Sequence, residues 1–332
     1  MEERIVTHES SLPFRGLPAA ALRGRAPWTA ARNLAIMLRG IVAARRLIDE
    51  VQPAAILGTG GYVCVPLLLA ARQKRVPTLI YLPDIVPGMA VKFLSRVATR
   101  VACSFEASRR YFQADKVVIT GYPVRPELFA LDQQACRAEF SLNSDLPVLL
   151  VYGGSRGARS INRAVCALLP DLLQIAQILH VCGREGDEVW LREAAERLPE
   201  ELQARYRLYP YLHGTMAQAF GAADLALCRS GASTLGELPA VGLGAVLVPY
   251  PYVHQDENAD FLVHHGAAVK IDDEEMLGKG QPSEGPLFQE LRRLLTDHDA
   301  RQALAARSRA LARPEAAEQL AAELLELGGY DP

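Results

Sequence analysis

The chemically most informative segment is a glycine-rich turn that follows an apolar run. Residues 147–151 read Pro-Val-Leu-Leu-Val, and Tyr152-Gly153-Gly154-Ser155-Arg156-Gly157 comes next, before an apolar-periodic stretch. This order predicts a strand, a tight turn and a helix. The free N–H groups and the dipole at the start of such a helix favour an anion, and glycine lets a phosphate approach the backbone. The alternative is a turn that serves packing alone.

A second turn of the same kind, Arg229-Ser230-Gly231-Ala232-Ser233-Thr234, follows another apolar run. Glu237 stands three residues after Thr234, on the same face of the predicted helix. A carboxylate there can accept hydrogen bonds from both hydroxyls of a ribose, as the acidic residue of a Rossmann fold does. Its alternative role is to stabilise the helix dipole. Two such turns in one half of the chain predict a site for a nucleotide diphosphate.

The elements around these turns predict a doubly wound α/β fold, with ligands at the carboxyl ends of the strands. Short apolar runs, most of them ended by Gly or Pro, alternate with helical patterns, as expected for covered parallel strands. The predicted strands are 54–57, 78–81, 100–104, 116–120, 148–152, 177–181, 206–209, 225–228, 245–248 and 268–271. A polar stretch near residues 131–145 divides the chain into predicted domains 1–130 and 131–332, the second ending in a helical tail from about residue 278.

Composition narrows the class of protein. The 332 residues are 50% hydrophobic and 22% charged, so a folded protein with substantial cores is expected. A net charge of −2 argues against bulk nucleic-acid binding. Six scattered cysteines without a CxxC pair are typical of buried thiols in a reducing compartment, so we expect no metal site. As a separate expectation, the protein uses no cofactor. Neither a signal peptide nor a membrane-spanning run is expected.

Six blocks in order resemble the MurG family of bacterial transferases. They are Gly58-Thr59-Gly60-Gly61-Tyr62-Val63, Val86-Pro87-Gly88, Gly121-Tyr122-Pro123-Val124-Arg125, Gly153-Gly154-Ser155-Arg156-Gly157-Ala158, Arg229-Ser230-Gly231-Ala232 and His254-Gln255-Asp256-Glu257-Asn258-Ala259. The resemblance implies two Rossmann-like domains of the GT-B glycosyltransferase type. It also implies an inverting, metal-independent hexosyltransferase that moves N-acetylglucosamine from UDP-GlcNAc to lipid I (undecaprenyl-pyrophosphoryl-MurNAc-pentapeptide), which makes lipid II for peptidoglycan.

The resemblance also implies which residues contact the substrates. The UDP-GlcNAc-binding residues would be Asp84, Arg125, Gly154, Ser155, Ala232, Ser233, Thr234, Glu237, His254, Gln255 and Asn258. The acceptor pyrophosphate would lie on Gly58, Gly60, Gly61 and Tyr62. From the residues alone, other roles stay open: a capping cluster at 254–258, an inter-domain salt bridge for Arg125, and a close strand–helix turn at 58–61.

Three departures from the family pattern bear on catalysis. The family's N-terminal Gly-Gly-His loop has no counterpart, so we expect the first domain to lack its opening βαβ unit. Asp84 and Tyr122 each stand where the family has Asn. Because the missing loop carries the family's proposed base, the catalytic residue stays unassigned: His8 is far upstream of the motifs, and Asp84 is only a candidate.

The stretch from Arg15 to Arg46 is basic and has no acidic residue between Glu9 and Asp49. Its seven arginines alternate with apolar residues, a pattern that suits an anionic membrane surface. The alternative is a core helix with a solvated arginine face. The resemblance favours peripheral binding to the cytoplasmic face of the bacterial inner membrane, with cell-wall synthesis proteins as further partners.

Two other functions remain open at this level. The missing loop also fits a UDP-sugar-binding pseudoenzyme, or a subunit of a split glycosyltransferase. The changes at Asp84 and Tyr122 leave room for a related lipid glycosyltransferase, for example one that acts on a diacylglycerol.

Overall fold

The structure, a computed structural model, describes residues 3, 6–7, 10–21, 27–143, 145–253 and 255–331. The chain divides into two compact units. Unit 1 contains residues up to Gly121 and from Ala317 onward, and unit 2 spans Tyr122–Ala316. Among the described residues, no helix is long and apolar enough to cross a membrane.

Unit 1 is built on a four-stranded parallel sheet in the order β1-β2-β3-β4. The strands are β1 (Ile56–Gly58), β2 (Thr78–Leu82), β3 (Arg100–Cys103) and β4 (Val117–Ile119). Its helices are α1 (Pro27–Val51), α2 (Val65–Lys74) and α3 (Met89–Leu94). Every residue of β2 is buried, because α-helices and loops cover both faces of this central strand.

The last helix, α13 (Ala316–Leu327), packs on the sheet of unit 1. Leu320 joins Leu79 and Tyr81 in one apolar cluster, and Arg100 at the start of β3 pairs with two glutamates of the helix, Glu323 and Glu326. These units therefore differ from the predicted domains 1–130 and 131–332 in two respects. The boundary lies at residues 121–122, and the end of the tail belongs with the N-terminal sheet.

Unit 2 is built on a six-stranded parallel sheet in the order β10-β9-β8-β5-β6-β7. The strands are β5 (Val148–Tyr152), β6 (Gln177–Val181), β7 (Tyr206–Tyr209), β8 (Leu225–Cys228), β9 (Ala245–Leu247) and β10 (Ala268–Lys270). The helices are α4 (Gln133–Glu139), α5 (Arg159–Ile175), α6 (Asp187–Glu196), α7 (Glu200–Gln203), α8 (Met216–Ala222), α9 (Thr234–Val241), α10 (Asp256–His264), α11 (Pro286–Thr296) and α12 (His298–Arg309).

This strand order is that of the Rossmann fold. The chain adds strands on one side of β5, then crosses over and adds β8, β9 and β10 on the other side. The switch point therefore lies between β5 and β8, and ligands of doubly wound sheets bind outside the carboxyl ends of the strands at such a point. Both glycine turns identified in the sequence leave the sheet there.

The doubly wound α/β fold is confirmed, and the strands from β5 to β8 have the predicted bounds. The polar stretch near 131–145 was predicted to divide the two domains. In the structure it contains helix α4 and packs within unit 2. Asp132 caps this helix by accepting a hydrogen bond from the Ala135 N–H, and Cys136 and Phe140 are buried. A short amphipathic helix among polar residues has the same composition as a linker, which is why the sequence pattern indicated a domain boundary here.

Candidate functional site

The first glycine turn runs from the end of β5 to the start of α5. Gly154 has φ +79°, and a Cβ built on it would meet nothing within 4 Å. By contrast, a Cβ on Gly157 would lie 2.0 Å from the Cys182 carbonyl oxygen, and one on Gly153 would lie 2.3 Å from the Ala158 nitrogen. Gly153 and Gly157 are therefore required by packing, whereas Gly154 leaves open space in which a ligand can approach the backbone.

A buried polar network supports this turn from behind. Asn162, in the first turn of α5, donates to the Cys182 carbonyl (2.8 Å) and to the Asp187 carboxylate (2.9 Å), and accepts from His180 Nε2 (3.0 Å). Burial lowers the pKa of His180 to about 3, so the ring is neutral and its Nδ1 accepts from the Tyr206 hydroxyl. The network fixes the start of α5 relative to β6.

The second turn is anchored by Arg229, which directly follows β8. Its guanidinium donates to the carbonyls of Val248 and Pro249 (3.0 Å each) and to the Ser160 hydroxyl (2.6 Å), and it pairs with Asp273 at 2.5 Å. The Arg229 side chain is only 11% exposed. One arginine therefore ties the ends of β8 and β9 to the first turn of α5, at the switch point.

The loop after β9 is fixed to the same turn. The Ser230 hydroxyl donates to the Gln255 carbonyl (2.8 Å), and the Asn258 amide donates to the Ser230 carbonyl (3.0 Å). Gln255 also accepts a hydrogen bond from the Tyr250 N–H through its side chain (2.9 Å). Asn258 is fully buried, so its amide holds the turn in place. His254, a predicted sugar ligand, lies outside the described residues.

The two turns line one cavity of about 710 Å³. Of the predicted residues, the lining includes Gly154, Ser233, Thr234 and Gln255. Ser155, Ala232 and Glu237 do not line it but lie one to three residues along the chain from residues that do. Further lining residues, to which the sequence assigned no contact with a substrate, include Tyr152, Arg159, Arg163, Arg229 and Tyr250. The lining holds four arginines, Arg156, Arg159, Arg163 and Arg229, and three acidic residues, Glu185, Asp273 and Glu274, which leaves a small excess of positive charge for an anionic ligand.

Glu237 lies half-buried on α9, one turn after the helix begins. Burial raises the pKa of its carboxyl, while the Ser233 hydroxyl and the positive charge of Arg125 oppose that shift. Arg125 is exposed and also pairs with Glu127 (3.3 Å). A Cβ on Gly236 would lie 2.4 Å from the Tyr122 ring, so Tyr122 packs directly on α9 beside Glu237.

The predicted acceptor residues surround the end of β1 in unit 1. Gly60 and Gly61 have φ +93° and +74°, conformations that favour glycine. Gly58 contacts Leu68, since an added Cβ would lie 3.0 Å from a Leu68 methyl carbon, and Tyr62 is exposed. Asp84 is half-buried in the loop after β2, where the Ser108 hydroxyl donates to the Ile85 carbonyl (2.9 Å) and lies 3.4 Å from the Asp84 carbonyl oxygen.

Sequence reasoning missed the anchoring role of Arg229, although its block was recognised. A usable signal was present: an arginine directly after the fully apolar strand Leu225–Cys228 must find acceptors at the end of the sheet. The acceptors themselves, Ser160 and Asp273, lie 69 and 44 positions away in the sequence.

Comparisons with known proteins identify the family of the chain. Family models match the chain twice: the glycosyltransferase family 28 C-terminal domain over residues 148–320, and the N-terminal domain of the same family over residues 1–103. Together with two parallel sheets and a cavity at the switch point, these matches define a glycosyltransferase of the GT-B fold.

Individual relatives narrow the family. A protein of Roseiflexus sp. (strain RS-1), named UDP-N-acetylglucosamine–N-acetylmuramyl-(pentapeptide) pyrophosphoryl-undecaprenol N-acetylglucosamine transferase, is 56% identical over 97% of this chain and 80% of its own length. A protein of the same name from Bacillus subtilis (strain 168) is 32% identical, over 98% and 88%. The crystal structure of Acinetobacter baumannii MurG superimposes with a TM-score of 0.73 at 27% identity, again over 98% and 88%. The chain belongs to the MurG family.

Proposed function

We propose that the protein transfers N-acetylglucosamine from UDP-GlcNAc to lipid I and so forms lipid II. The observation that carries this proposal is the pair of glycine turns, which end adjacent strands, open α5 and α9, and line one cavity. Two helix N-termini directed at one cavity favour a ligand with two neighbouring negative groups, such as a diphosphate. The names of the relatives supply the sugar and the acceptor.

In the donor site, Gly154 and Ser155 are proposed to bind the diphosphate through backbone N–H groups and the serine hydroxyl. Glu237 would accept hydrogen bonds from the ribose, with Arg125 adding positive charge near the diphosphate. The influence of Arg125 on the Glu237 carboxyl supports this, because it places the two side chains in the same part of unit 2. Bound UDP would thus extend from α9 towards the glycine turn before α5.

The sugar is proposed to be recognised by Gln255, His254 and Asp84, with Ala232, Ser233 and Thr234 along the start of α9. Amide groups suit sugar hydroxyls because they both donate and accept. Asn258, being buried against Ser230, would act by positioning that turn.

The acceptor pyrophosphate is proposed to lie on the turn formed by Gly58, Gly60, Gly61 and Tyr62, where positive φ values expose successive N–H groups. In an inverting transfer, the muramyl 4-hydroxyl oxygen bonds to C1 of the sugar while the bond from C1 to the β-phosphate oxygen breaks. The hydroxyl proton goes to a base, and UDP leaves. The helix N-termini of the donor site would stabilise the charge that develops on UDP.

Helix α1 is proposed to bind the cytoplasmic face of the inner membrane. Leu34, Leu38 and Val42 are four residues apart and each at least 50% exposed, so they form one apolar stripe. Arg32, Arg39 and Arg46, seven residues apart and exposed, form an adjacent row. This combination fits an interface with anionic lipid.

Co-sedimentation with vesicles tests the membrane proposal. Binding to phosphatidylglycerol vesicles should exceed binding to neutral phosphatidylcholine vesicles, and Leu38→Asp should reduce it. The control is Val189→Asp, on a similarly exposed valine of α6 in unit 2. Equal effects of the two substitutions would contradict the assignment to α1.

Substrate choice tests the catalytic proposal. Transfer should require UDP-GlcNAc and a lipid I analogue, with much lower rates for UDP-glucose or for a diacylglycerol acceptor. Faster transfer to diacylglycerol would identify a different lipid glycosyltransferase. Ser155→Ala should weaken UDP binding in calorimetry without lowering the melting temperature, because Ser155 is exposed.

A further inference from the structure

Three tyrosines line the cavity at the two glycine turns, and neither the sequence motifs nor the comparisons assign a substrate contact to any of them. The three differ in how much of each residue is exposed: 8% for Tyr152, 42% for Tyr250 and 78% for Tyr252. Tyr152 is therefore part of the core of unit 2. Tyr250 and Tyr252, by contrast, present aromatic surface to the cavity.

Tyr250 is held in a defined position in the loop after β9. Its backbone N–H donates to the Gln255 side-chain oxygen (2.9 Å), and the Arg229 guanidinium lies over its ring, 5.3 Å from the ring centroid. Tyr252 packs against Tyr250 with ring centroids 5.2 Å apart and an angle of 68° between the ring planes. Because Arg229 already occupies the Tyr250 ring, Tyr252 is the tyrosine that has most ring surface available to a ligand.

The Gln255 amide adds a hydrogen-bond donor beside these rings, and it also lines the cavity. Because its oxygen accepts from the Tyr250 N–H, its NH₂ group must point away from that backbone. The amide nitrogen lies 3.9 Å from the position that a Cβ on Gly231 would take, so it stands at the second glycine turn. The loop after β9 therefore offers the cavity an aromatic surface and an amide N–H group together.

A ligand group that uses both features has hydroxyls at its edge and C–H groups on its face. A pyranose ring has this character, since its positively polarised C–H groups can meet the negative face of an aromatic ring. The position also fits the sugar rather than the ribose. Glu237, the proposed ribose ligand, lies one turn inside α9, whereas Gly231 precedes that helix. With the diphosphate at the start of α9, the group beside Gln255 lies on the side away from the ribose.

We propose that Tyr252 stacks on the pyranose ring of the nucleotide sugar and that Tyr250 holds Tyr252 in place for this contact. The inference rests on the proposed function and adds to it a residue that favours UDP-GlcNAc over UDP. The contact is lost when the sugar leaves, because UDP has no group to place against this ring. Tyr252 would therefore help the site to distinguish its substrate from its product.

Calorimetry on the full chain with UDP-GlcNAc, UDP and uridine tests this contact. Tyr252→Ala should weaken UDP-GlcNAc binding about three- to tenfold, the range expected for one aromatic contact, and leave the affinities for UDP and uridine unchanged. Tyr252→Phe should bind UDP-GlcNAc like the wild type, because it keeps the ring. The control is Tyr330→Ala, on a tyrosine of unit 1 that is 61% exposed, and it should leave all three affinities unchanged.

The outcomes separate this inference from the function on which it rests. Unchanged UDP-GlcNAc affinity in Tyr252→Ala overturns it, and so does an equal loss for UDP, which would place the contact on the nucleotide. A loss in Tyr252→Phe as large as that in Tyr252→Ala would assign the effect to the hydroxyl and overturn the stacking. A wild-type protein that fails to bind UDP overturns the proposed function itself.

Discussion

Replacing Arg229 by alanine should destabilise unit 2 strongly. The guanidinium makes hydrogen bonds to two carbonyls at the end of β9, to Ser160 and to Asp273. Both charged partners are mostly buried, with side-chain exposures of 11% for Arg229 and 18% for Asp273. Without the arginine, the Asp273 carboxylate remains in a poorly solvated position, where the Ser160 hydroxyl still donates to it.

The magnitude follows from this geometry. Removal of one partner of a buried ion pair costs about 3–5 kcal/mol, because the other charge stays uncompensated. For a domain of this size, each kcal/mol lowers the melting temperature by roughly 2–4 °C, so a fall of roughly 6–20 °C is expected. UDP affinity should fall as well, because both turns lose their common anchor.

Thermal unfolding and urea titration of wild type, Arg229→Ala, Asp273→Asn and the double variant measure this effect. If the uncompensated carboxylate dominates, the double variant should recover part of the loss, with a coupling of about 1–3 kcal/mol. A change of less than about 1 kcal/mol in Arg229→Ala would refute the reasoning. Arg229→Lys should rescue little, because an ammonium lacks the planar fork that reaches several acceptors.

Three further predictions concern carboxylates. Because burial raises the pKa of Glu237, the folded protein loses stability as pH rises through that pKa. Glu237→Gln should therefore raise the free energy of unfolding at pH 8 while weakening UDP binding about tenfold. Unchanged UDP affinity would exclude the ribose contact. Asp84→Asn should keep transfer within about threefold in steady-state assays if Asp84 binds sugar, since the amide keeps an acceptor oxygen, whereas a loss of about a hundredfold would indicate a base. Arg100 lowers the pKa of Glu326, so this pair contributes folding stability above about pH 4.5 that is lost on acidification. Glu326→Gln should flatten the acid side of the curve of unfolding free energy against pH. An unaltered curve would contradict the pairing.

Local sequence patterns were sufficient to predict most strands of the central sheet of unit 2. The strands from β5 to β8 match their predicted bounds because each is a short, largely apolar run that is followed within two residues by a glycine, a proline or a charged residue. The prediction was less accurate at β1, expected at 54–57 and found at Ile56–Gly58. There the register with Thr78 on β2 decides where pairing begins.

Long-range contacts were not accessible to the same reasoning. The end of the tail reads as an ordinary amphipathic helix, and nothing in its composition shows that Leu320 packs against Leu79 or that Glu326 pairs with Arg100. At the site, glycine spacing predicted both turns, but the partners of Arg229 depend on segments that only the fold brings together.

Transfer of labelled N-acetylglucosamine from its UDP donor to a lipid I analogue, by the 332-residue chain, tests the central claim most directly. UDP binding is measured by calorimetry on the same sample, so that folding of the donor site is known. The proposed function predicts labelled lipid II together with one UDP released per sugar transferred. UDP binding without any labelled product would contradict it and would leave a donor-binding protein that does not catalyse the transfer.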